Sequence, residues 1–142
     1  MRALLDINVL IALLDESHQH HAPARNWMLE NVGQGWASCP ITQNGCVRIL
    51  SQPAYPNTVP TAIALDKLGR ACSTAHHEFW PDRVSLLDDT VVHSDRIHGP
   101  RQLTDLYLVA LAVARGGRFV TFDGAIAIGA VRRSNKRHLV VI

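Results

Sequence analysis

Cysteine is scarce in this sequence and is not arranged in pairs. The 142 residues include three cysteines, Cys39, Cys46 and Cys72, and no two of them are three residues apart. An odd number without close spacing predicts neither a disulfide framework nor a structural zinc site. We therefore expect a protein of a reducing compartment, with the cytoplasm as its location.

Long apolar runs and an excess of one charge are also absent. The longest apolar runs, Val9–Leu14 and Leu106–Ala114, fall short of the roughly 20 residues that cross a membrane, and Asp6 interrupts any N-terminal signal segment. Lysine and arginine number 14 against 12 acidic residues, which excludes a purely electrostatic nucleic-acid binder. Hydrophobic residues make up 47% and charged residues 18%, which excludes a disordered chain. The length predicts one domain over residues 1–142. The short apolar runs predict no membrane contact.

Short apolar runs alternate with helical patterns along the chain. The predicted strands are Ala3–Leu5, Trp36–Cys39, Arg83–Leu87, Phe119–Phe122 and His138–Ile142. The predicted helices are Val9–Leu14 with Asn8 as its cap, a segment from Pro23 to Gly33, a segment from Thr42 to Leu50, a segment from Thr61 to Leu68, and Thr104–Arg115. This alternation predicts an α/β sandwich with a mostly parallel sheet.

Three aspartates occupy positions at which such a fold binds ligands. Asp6 and Asp123 each follow a predicted strand, and Asp105 lies in the first turn of the most apolar helix. Ligands of open parallel sheets bind beyond the carboxyl ends of the strands. A helix in a right-handed crossover begins near those same ends. We therefore expect the three carboxylates to converge at one edge of the sheet.

Each aspartate also has a structural interpretation when it is taken singly. Asp6 could turn the chain into a helix, Asp123 and Gly124 could form an ordinary turn, and Asp105 could complement a helix dipole. Together, three acids at one edge favour a function, because neighbouring carboxylates repel and require a proton or a cation. A cluster of hard oxygen ligands selects Mg²⁺ or Mn²⁺. Such an ion predicts a phosphodiesterase or nuclease site.

Four motifs in order resemble those of PIN-domain ribonucleases, and of VapC-type toxins in particular. The motifs are Leu4–Leu10, Pro40–Gly45 running on to Leu50, Leu103–Ala112 and Phe119–Asp123, with His18, His21, Ala24 and Trp27 after the first. The resemblance spans nearly the whole chain, and it implies a PIN-like three-layer α/β/α sandwich.

The resemblance implies a function as well as a fold. VapC-type toxins are Mg²⁺-dependent endoribonucleases, with Mn²⁺ as a possible substitute, that a cognate VapB-type antitoxin holds inactive. On this basis Asp6, Asp105 and Asp123 are the expected catalytic residues, with Asp6 and Asp105 as direct metal ligands. Asn8 and Thr121 are candidates to orient ligands or bound water. A homodimer is also expected.

One position departs from the family pattern. Many members have an acid in the second motif, where this chain has Gln43. A neutral amide predicts one tight Mg²⁺ and a second ion that arrives only with RNA, unless Asp89 or Asp95 substitutes in space. Gln43 also sustains an alternative, a degenerate PIN domain that binds RNA or a partner protein without cleaving.

Two other enzyme classes also place an aspartate after a first strand. Phosphotransferases of the haloacid-dehalogenase kind have a second acid where this chain has Asn8, and no suitable downstream lysine accompanies the acids here. Phospho-acceptor receiver domains have an acidic doublet that this chain lacks. Both are therefore weaker interpretations than a nuclease.

Several other polar and aromatic residues have plain structural interpretations. We expect His18, His20 and His21 to form a polar helix start, and His76 and His77 to face solvent. Trp27 and Trp36 are expected in the core, whereas Trp80 is a weaker core candidate that could instead contact a partner.

The basic residues near the C-terminus allow two interpretations. Arg132, Arg133, Lys136 and Arg137 form a short run, which is either a solvated face or a phosphate-contacting patch beside the acids. Arg48 follows Gln43 by one or two helical turns and could reach the same edge.

Overall fold

A computed structural model describes all residues, 1–142, as a five-stranded sheet with helices on both faces. The strands are β1 Ala3–Leu5, β2 Trp36–Ser38, β3 His77–Phe79, β4 Arg118–Thr121 and β5 Leu139–Val141. The helices are α1 Ile7–Leu14, α2 His21–Asn31, α3 Pro40–Ser51, α4 Thr61–Cys72 and α5 Leu103–Ala114. All four strand pairs are parallel, and the strand order is β3-β2-β1-β4-β5. The predicted α/β sandwich with a parallel sheet is confirmed.

Two apolar clusters, one on each face of the sheet, form the core. Alternation along β1 divides its residues, because Leu4 joins the cluster around α5 while Ala3 and Leu5 join the cluster around α1, α3 and α4. Six residues of α5 are fully buried, as its apolar composition predicts. The central strands β1 and β4 are therefore covered on both faces, and only their ends remain open to a ligand. None of the helices combines the length and the apolar character that crossing a membrane requires.

The third predicted strand, Arg83–Leu87, is wrong. Instead, β3 is formed by His77–Phe79, which pairs with β2 through Trp36, Ala37 and Ser38. An edge strand has one neighbour and needs little apolar composition, so its pattern is weak in the sequence. Leu87 is 97% exposed and belongs to an irregular segment.

Three helices begin earlier than their predicted caps. Helix α1 follows Asp6 rather than Asn8, and α5 begins at Leu103 rather than after a Thr104 cap. Helix α3 begins at Pro40, whose missing N–H costs nothing in the first turn. Thr42, the predicted cap, lies inside α3 and its Oγ1 accepts a hydrogen bond from the Cys39 N–H at 2.9 Å. The hydroxyl residues near these termini are therefore in the first turn, not before it.

Trp80, the weaker core candidate, is buried, and the prediction that His77 faces solvent is wrong, whereas His76 is exposed as predicted. Trp80 is 2% exposed and packs close to Gly117, where a Cβ atom would lie 2.6 Å from the indole ring. His77 is half-buried: its Nε2 lies 2.8 Å from Ser38 Oγ and its ring stacks on Trp36 with centroids 4.4 Å apart. Both residues belong to or follow the edge strand that the sequence pattern did not identify. Trp36 is buried, as predicted.

Candidate active site

Asp6 is held at the carboxyl end of β1 by the neighbouring strand. Its backbone N–H donates to the Val120 carbonyl at 2.9 Å, and its Oδ2 accepts a hydrogen bond from Thr121 Oγ1 at 2.7 Å. Asp6 is 7% exposed. Burial raises the pKa of its carboxyl group, the hydrogen bonds from Thr121 and the Ile7 N–H oppose this, and the charge of Asp123 raises it further. Asp6 is therefore a buried, oriented carboxylate.

Thr121 links two of the three aspartates. Its hydroxyl donates to the Asp6 carboxylate and accepts a hydrogen bond from the Asp123 backbone N–H at 3.1 Å. Thr121 is 1% exposed, so water does not replace either bond. Thr121, one of the two residues predicted to orient ligands or bound water, therefore holds the Asp6 carboxylate in place. Asn8, the other such candidate, lies exposed in the first turn of α1, two residues after Asp6.

Asp105 lies in the first turn of α5, which packs against β1 and β4. Burial raises the pKa of its carboxyl group to about 6, and the charges of Asp6 and Asp123 add to the effect. No hydrogen bond or ion pair within the chain offsets this repulsion. The structure therefore brings the three predicted acids close enough to act on one another electrostatically.

Asp123 is the exposed member of the group. Its Oδ1 accepts a hydrogen bond from the Ala125 N–H at 2.7 Å, so it also shapes the turn after β4. Asp123 and Asp105 line a recess of about 160 Å³, together with Arg101, Gln102 and a short apolar wall. Asp6 is not among the residues that line this recess. Asp123 can therefore stabilise the turn after β4 and also contribute a carboxylate to the site.

The donor chemistry of the three acids suits a hydrated Mg²⁺ or Mn²⁺. No group of three or more His, Cys, Asp or Glu side chains has the spacing of a complete metal site. Mg²⁺ keeps several water ligands and commonly takes one or two carboxylates from a protein. Asp105, whose charge no group within the chain neutralises, fits that requirement, and so does the neighbouring Asp6. These residues could hold one hydrated divalent cation.

Gln43 does not line the recess of Asp105 and Asp123. Its Nε2 donates to Ser38 Oγ at 2.9 Å, and it lines a groove of about 540 Å³ between α3 and α4. Arg48 lines the same groove and does not line the recess of Asp105 and Asp123. Asp89 lines a different recess, beside Arg132 and Arg133.

The histidines and the basic run lie outside the acidic recess. His20 precedes α2 and stacks on Phe122 with ring centroids 4.8 Å apart, which agrees with a polar helix start. Arg132 and Arg133 line their own polar recess, and none of the four basic residues of the run lines the acidic one. Arg101 does line it, and this residue was not among those predicted from the sequence. Its position four residues before Asp105 was the available signal, because that spacing shares one face of a helix.

Comparison with known proteins identifies the family. Ribonuclease VapC44 of Mycobacterium tuberculosis is 55% identical to this chain over 142 residues, which is 100% of both proteins. This chain belongs to the VapC family of PIN-domain ribonucleases. Ribonuclease VapC39 of the same organism is 46% identical over 128 residues, covering 89% of this VapC-family chain and 92% of the relative. No family model matches the sequence.

Solved structures of VapC proteins share the fold. The crystal structure of VapC20 from Mycobacterium tuberculosis, a toxin that cleaves the sarcin-ricin loop, aligns with a TM-score of 0.62 at 12% identity, over 93% of this chain and 98% of that one. VapBC2 of Rickettsia felis, bound to a DNA fragment from its promoter, aligns with a TM-score of 0.56 at 15% identity, over 87% and 89%. The predicted PIN-like α/β/α sandwich of this VapC-family chain is therefore confirmed.

Proposed function

We propose that this VapC-family chain is a Mg²⁺-dependent endoribonuclease and the toxin of a VapBC-type toxin–antitoxin pair. The observation that carries the proposal is the convergence of Asp6, Asp105 and Asp123 at one edge of the sheet, where burial and mutual repulsion raise the pKa of Asp105 to about 6. Full-length similarity to a named VapC ribonuclease supports RNA as the substrate.

The three acids take different roles in this proposal. Asp6 and Asp105 hold one divalent cation, with Mg²⁺ as the expected ion and Mn²⁺ as a substitute. Such an ion supplies activated water and positive charge at a phosphodiester. Asp123 completes the site through water, and Thr121 holds Asp6 in one orientation. Cleavage leaves 5′-phosphate and 3′-hydroxyl ends.

The partners follow from the family. We propose a VapB-type antitoxin as the cognate inhibitor, and the VapBC2 complex of Rickettsia felis supports a toxin of this fold in such an assembly. A homodimer is also proposed, as is a cytoplasmic location, because all three cysteines are free and such thiols suit a reducing compartment.

RNA cleavage by the purified chain tests the proposal. We expect cleavage with Mg²⁺ and none with excess EDTA. Asp6→Asn should lower the rate by more than the roughly 10- to 100-fold typical of changes behind the metal ligands. Asparagine has the size of aspartate and can still accept the Thr121 hydrogen bond, so the variant should fold.

The control variant is Asp66→Asn, which removes an exposed carboxylate paired with Arg70 on α4 and should cleave normally. Cleavage that survives both EDTA and Asp6→Asn would contradict the proposal. Binding of RNA without metal-dependent cleavage would instead favour the degenerate PIN domain.

A further inference from the structure

The acidic recess also contains one positive charge. Arg101 lines it together with Asp105 and Asp123, and the Arg101 side chain is exposed. The Arg101 side chain makes no hydrogen bond or ion pair within the chain. The two ion pairs of the protein join Arg2 to Glu78 and Arg70 to Asp66. A free guanidinium therefore borders two carboxylates without neutralising either.

The spacing makes this lack of pairing informative. Arg101 and Asp105 are four residues apart in a continuous helical segment, because a short 3₁₀ turn over Pro100–Gln102 leads directly into α5. Residues at this spacing are neighbours on a helix surface. Asp66 and Arg70 have the same spacing and are joined at 2.9 Å. In the acidic recess, Arg101 and Asp105 form no ion pair. The space between them can therefore hold a ligand that contacts both side chains.

The backbone that carries Arg101 is fixed. Within the 3₁₀ turn the Gln102 N–H donates to the Gly99 carbonyl at 3.2 Å, and the Gln102 side-chain Oε1 accepts a hydrogen bond from the His98 N–H at 3.0 Å. The Leu103 N–H donates to the Pro100 carbonyl. Arg101 is thus presented from a defined position next to Asp105, and only its side chain is free to reach toward a ligand.

We infer that Arg101 binds a backbone phosphate of the RNA at the acidic recess. This inference rests on the proposed nuclease function and assigns Arg101 as a residue that binds the RNA substrate. A phosphodiester is the ligand that fits a recess with acids and an arginine. One of its oxygens can bind a cation held by the acids, and another can accept hydrogen bonds from the Arg101 guanidinium. Arginine binds phosphate oxygens through two parallel N–H donors, which positions the phosphate as well as attracting it.

Binding of RNA without metal tests the inference separately from cleavage. The probe is a fluorescently labelled single-stranded RNA, its affinity measured by anisotropy in EDTA over a range of KCl concentrations. Each phosphate contact contributes about 0.7 to the slope of log affinity against log salt. Arg101→Gln should reduce that slope by about 0.7. The matched control is Arg25→Gln, which removes an equal charge from an exposed position in α2 and should leave the slope unchanged.

Cleavage with Mg²⁺ gives the second measurement. Arg101→Gln should lower kcat/KM by about 10- to 100-fold, the cost of losing a hydrogen-bonded charge. Arg101→Lys should recover the salt slope but only part of kcat/KM, because lysine retains the charge and loses the paired donors. Since Arg101 has no partner within the chain, all variants should keep the wild-type melting temperature.

The possible failures are distinguishable. Equal slopes and equal kcat/KM for Arg101→Gln and Arg25→Gln, with a wild-type chain that cleaves, would overturn the inference and leave the nuclease function standing. A wild-type chain that does not cleave, while Arg101→Gln alone reduces the slope, would overturn the nuclease function and leave Arg101 as a phosphate ligand. A wild-type chain that has no measurable affinity for the RNA in EDTA and does not cleave it with Mg²⁺ would overturn both.

Discussion

At the scale of single residues, the charge of Asp105 is the least favourable one in the site. Burial and the charges of Asp6 and Asp123 raise its pKa to about 6, from about 3.9 for an ordinary aspartate. Because the folded state holds this proton more tightly than the unfolded state, ionisation of Asp105 destabilises the fold. The penalty is absent below about pH 4 and complete once the pH is well above 6.

Asp105→Asn should therefore stabilise the metal-free protein at neutral pH. We expect a gain of about 1 kcal/mol above pH 6, after allowance for solvent screening, and no gain below about pH 4. Urea denaturation in EDTA at the two pH values measures the difference. Asp66→Asn is the control and should give no such gain. A gain for Asp105→Asn that is independent of pH would show that charge repulsion is not its cause.

Thr121 is the residue that converts a buried carboxylate into an oriented one. Thr121→Val keeps the shape but removes the hydroxyl, so Asp6 loses a donor and the Asp123 N–H loses an acceptor. We expect a stability loss of about 1–3 kcal/mol and a roughly 10- to 100-fold lower cleavage rate, as for other residues that orient a ligand. Cleavage kinetics and urea denaturation measure both effects.

Thr121→Ser is the matched variant, since it retains the hydroxyl and removes one methyl group. It should keep most of the cleavage rate and lose about 0.8 kcal/mol of stability. Equal cleavage rates for the valine and serine variants would show that the Thr121 hydroxyl has no role in cleavage.

At the scale of elements, the approach of α3 to α1 depends on a missing side chain. A Cβ atom on Gly45 would overlap Ile7 Cδ1 and lie 2.9 Å from Ile7 Cγ1. Ile7 follows Asp6 directly, so the contact between the two helices also affects the end of β1. Gly45 thus allows α3 to pack close to the first acid of the site.

Gly45→Ala should destabilise the protein although alanine is the better helix former. Overpacking costs about 1–3 kcal/mol, against a gain of about 1 kcal/mol from helix propensity. Gly69→Ala is the control in α4, where a Cβ atom would meet nothing within 4 Å, and it should stabilise by about 0.5–1 kcal/mol. Melting temperatures of the two variants measure the contrast. Stabilisation by both substitutions would show that Ile7 gives way without cost.

The sequence predicted central elements better than peripheral ones. Buried strands such as Ala3–Leu5 are continuous apolar runs, so β1 and β4 were predicted to within a residue or so. The edge strand β3 has the sequence His-Glu-Phe and was missed, because pairing with β2 rather than its own composition determines it. The start of α3 was predicted too late because Thr42 accepts the Cys39 N–H hydrogen bond from inside the first turn, whereas a capping residue precedes the helix.

At the scale of the whole molecule, the site exists only because the chain folds. Asp6, Asp105 and Asp123 come from distant segments, and the parallel pairing of β1 with β4 and the packing of α5 across them bring the acids together. The rule that parallel sheets bind ligands beyond their carboxyl ends was sufficient to predict this convergence. The position of Gln43 in the α3–α4 groove depends on side-chain packing, which no local pattern encodes. The position of Arg101 in the recess had a local signal, its spacing of four residues from Asp105.

A single tight ion is expected because Gln43 is a neutral amide and adds no carboxylate to the site. Of the three carboxylates that act on one another, Asp6 is buried and Asp105 is half-buried. A second ion would therefore need oxygen ligands that RNA phosphates supply.

Titration of the purified, RNA-free chain with Mn²⁺, followed by electron paramagnetic resonance at neutral pH, tests the central claim most directly. We expect one tightly bound ion per wild-type chain and loss of tight binding in both Asp6→Asn and Asp105→Asn. Unchanged Mn²⁺ affinity in both variants, or two equally tight ions in the wild-type chain, would contradict the account.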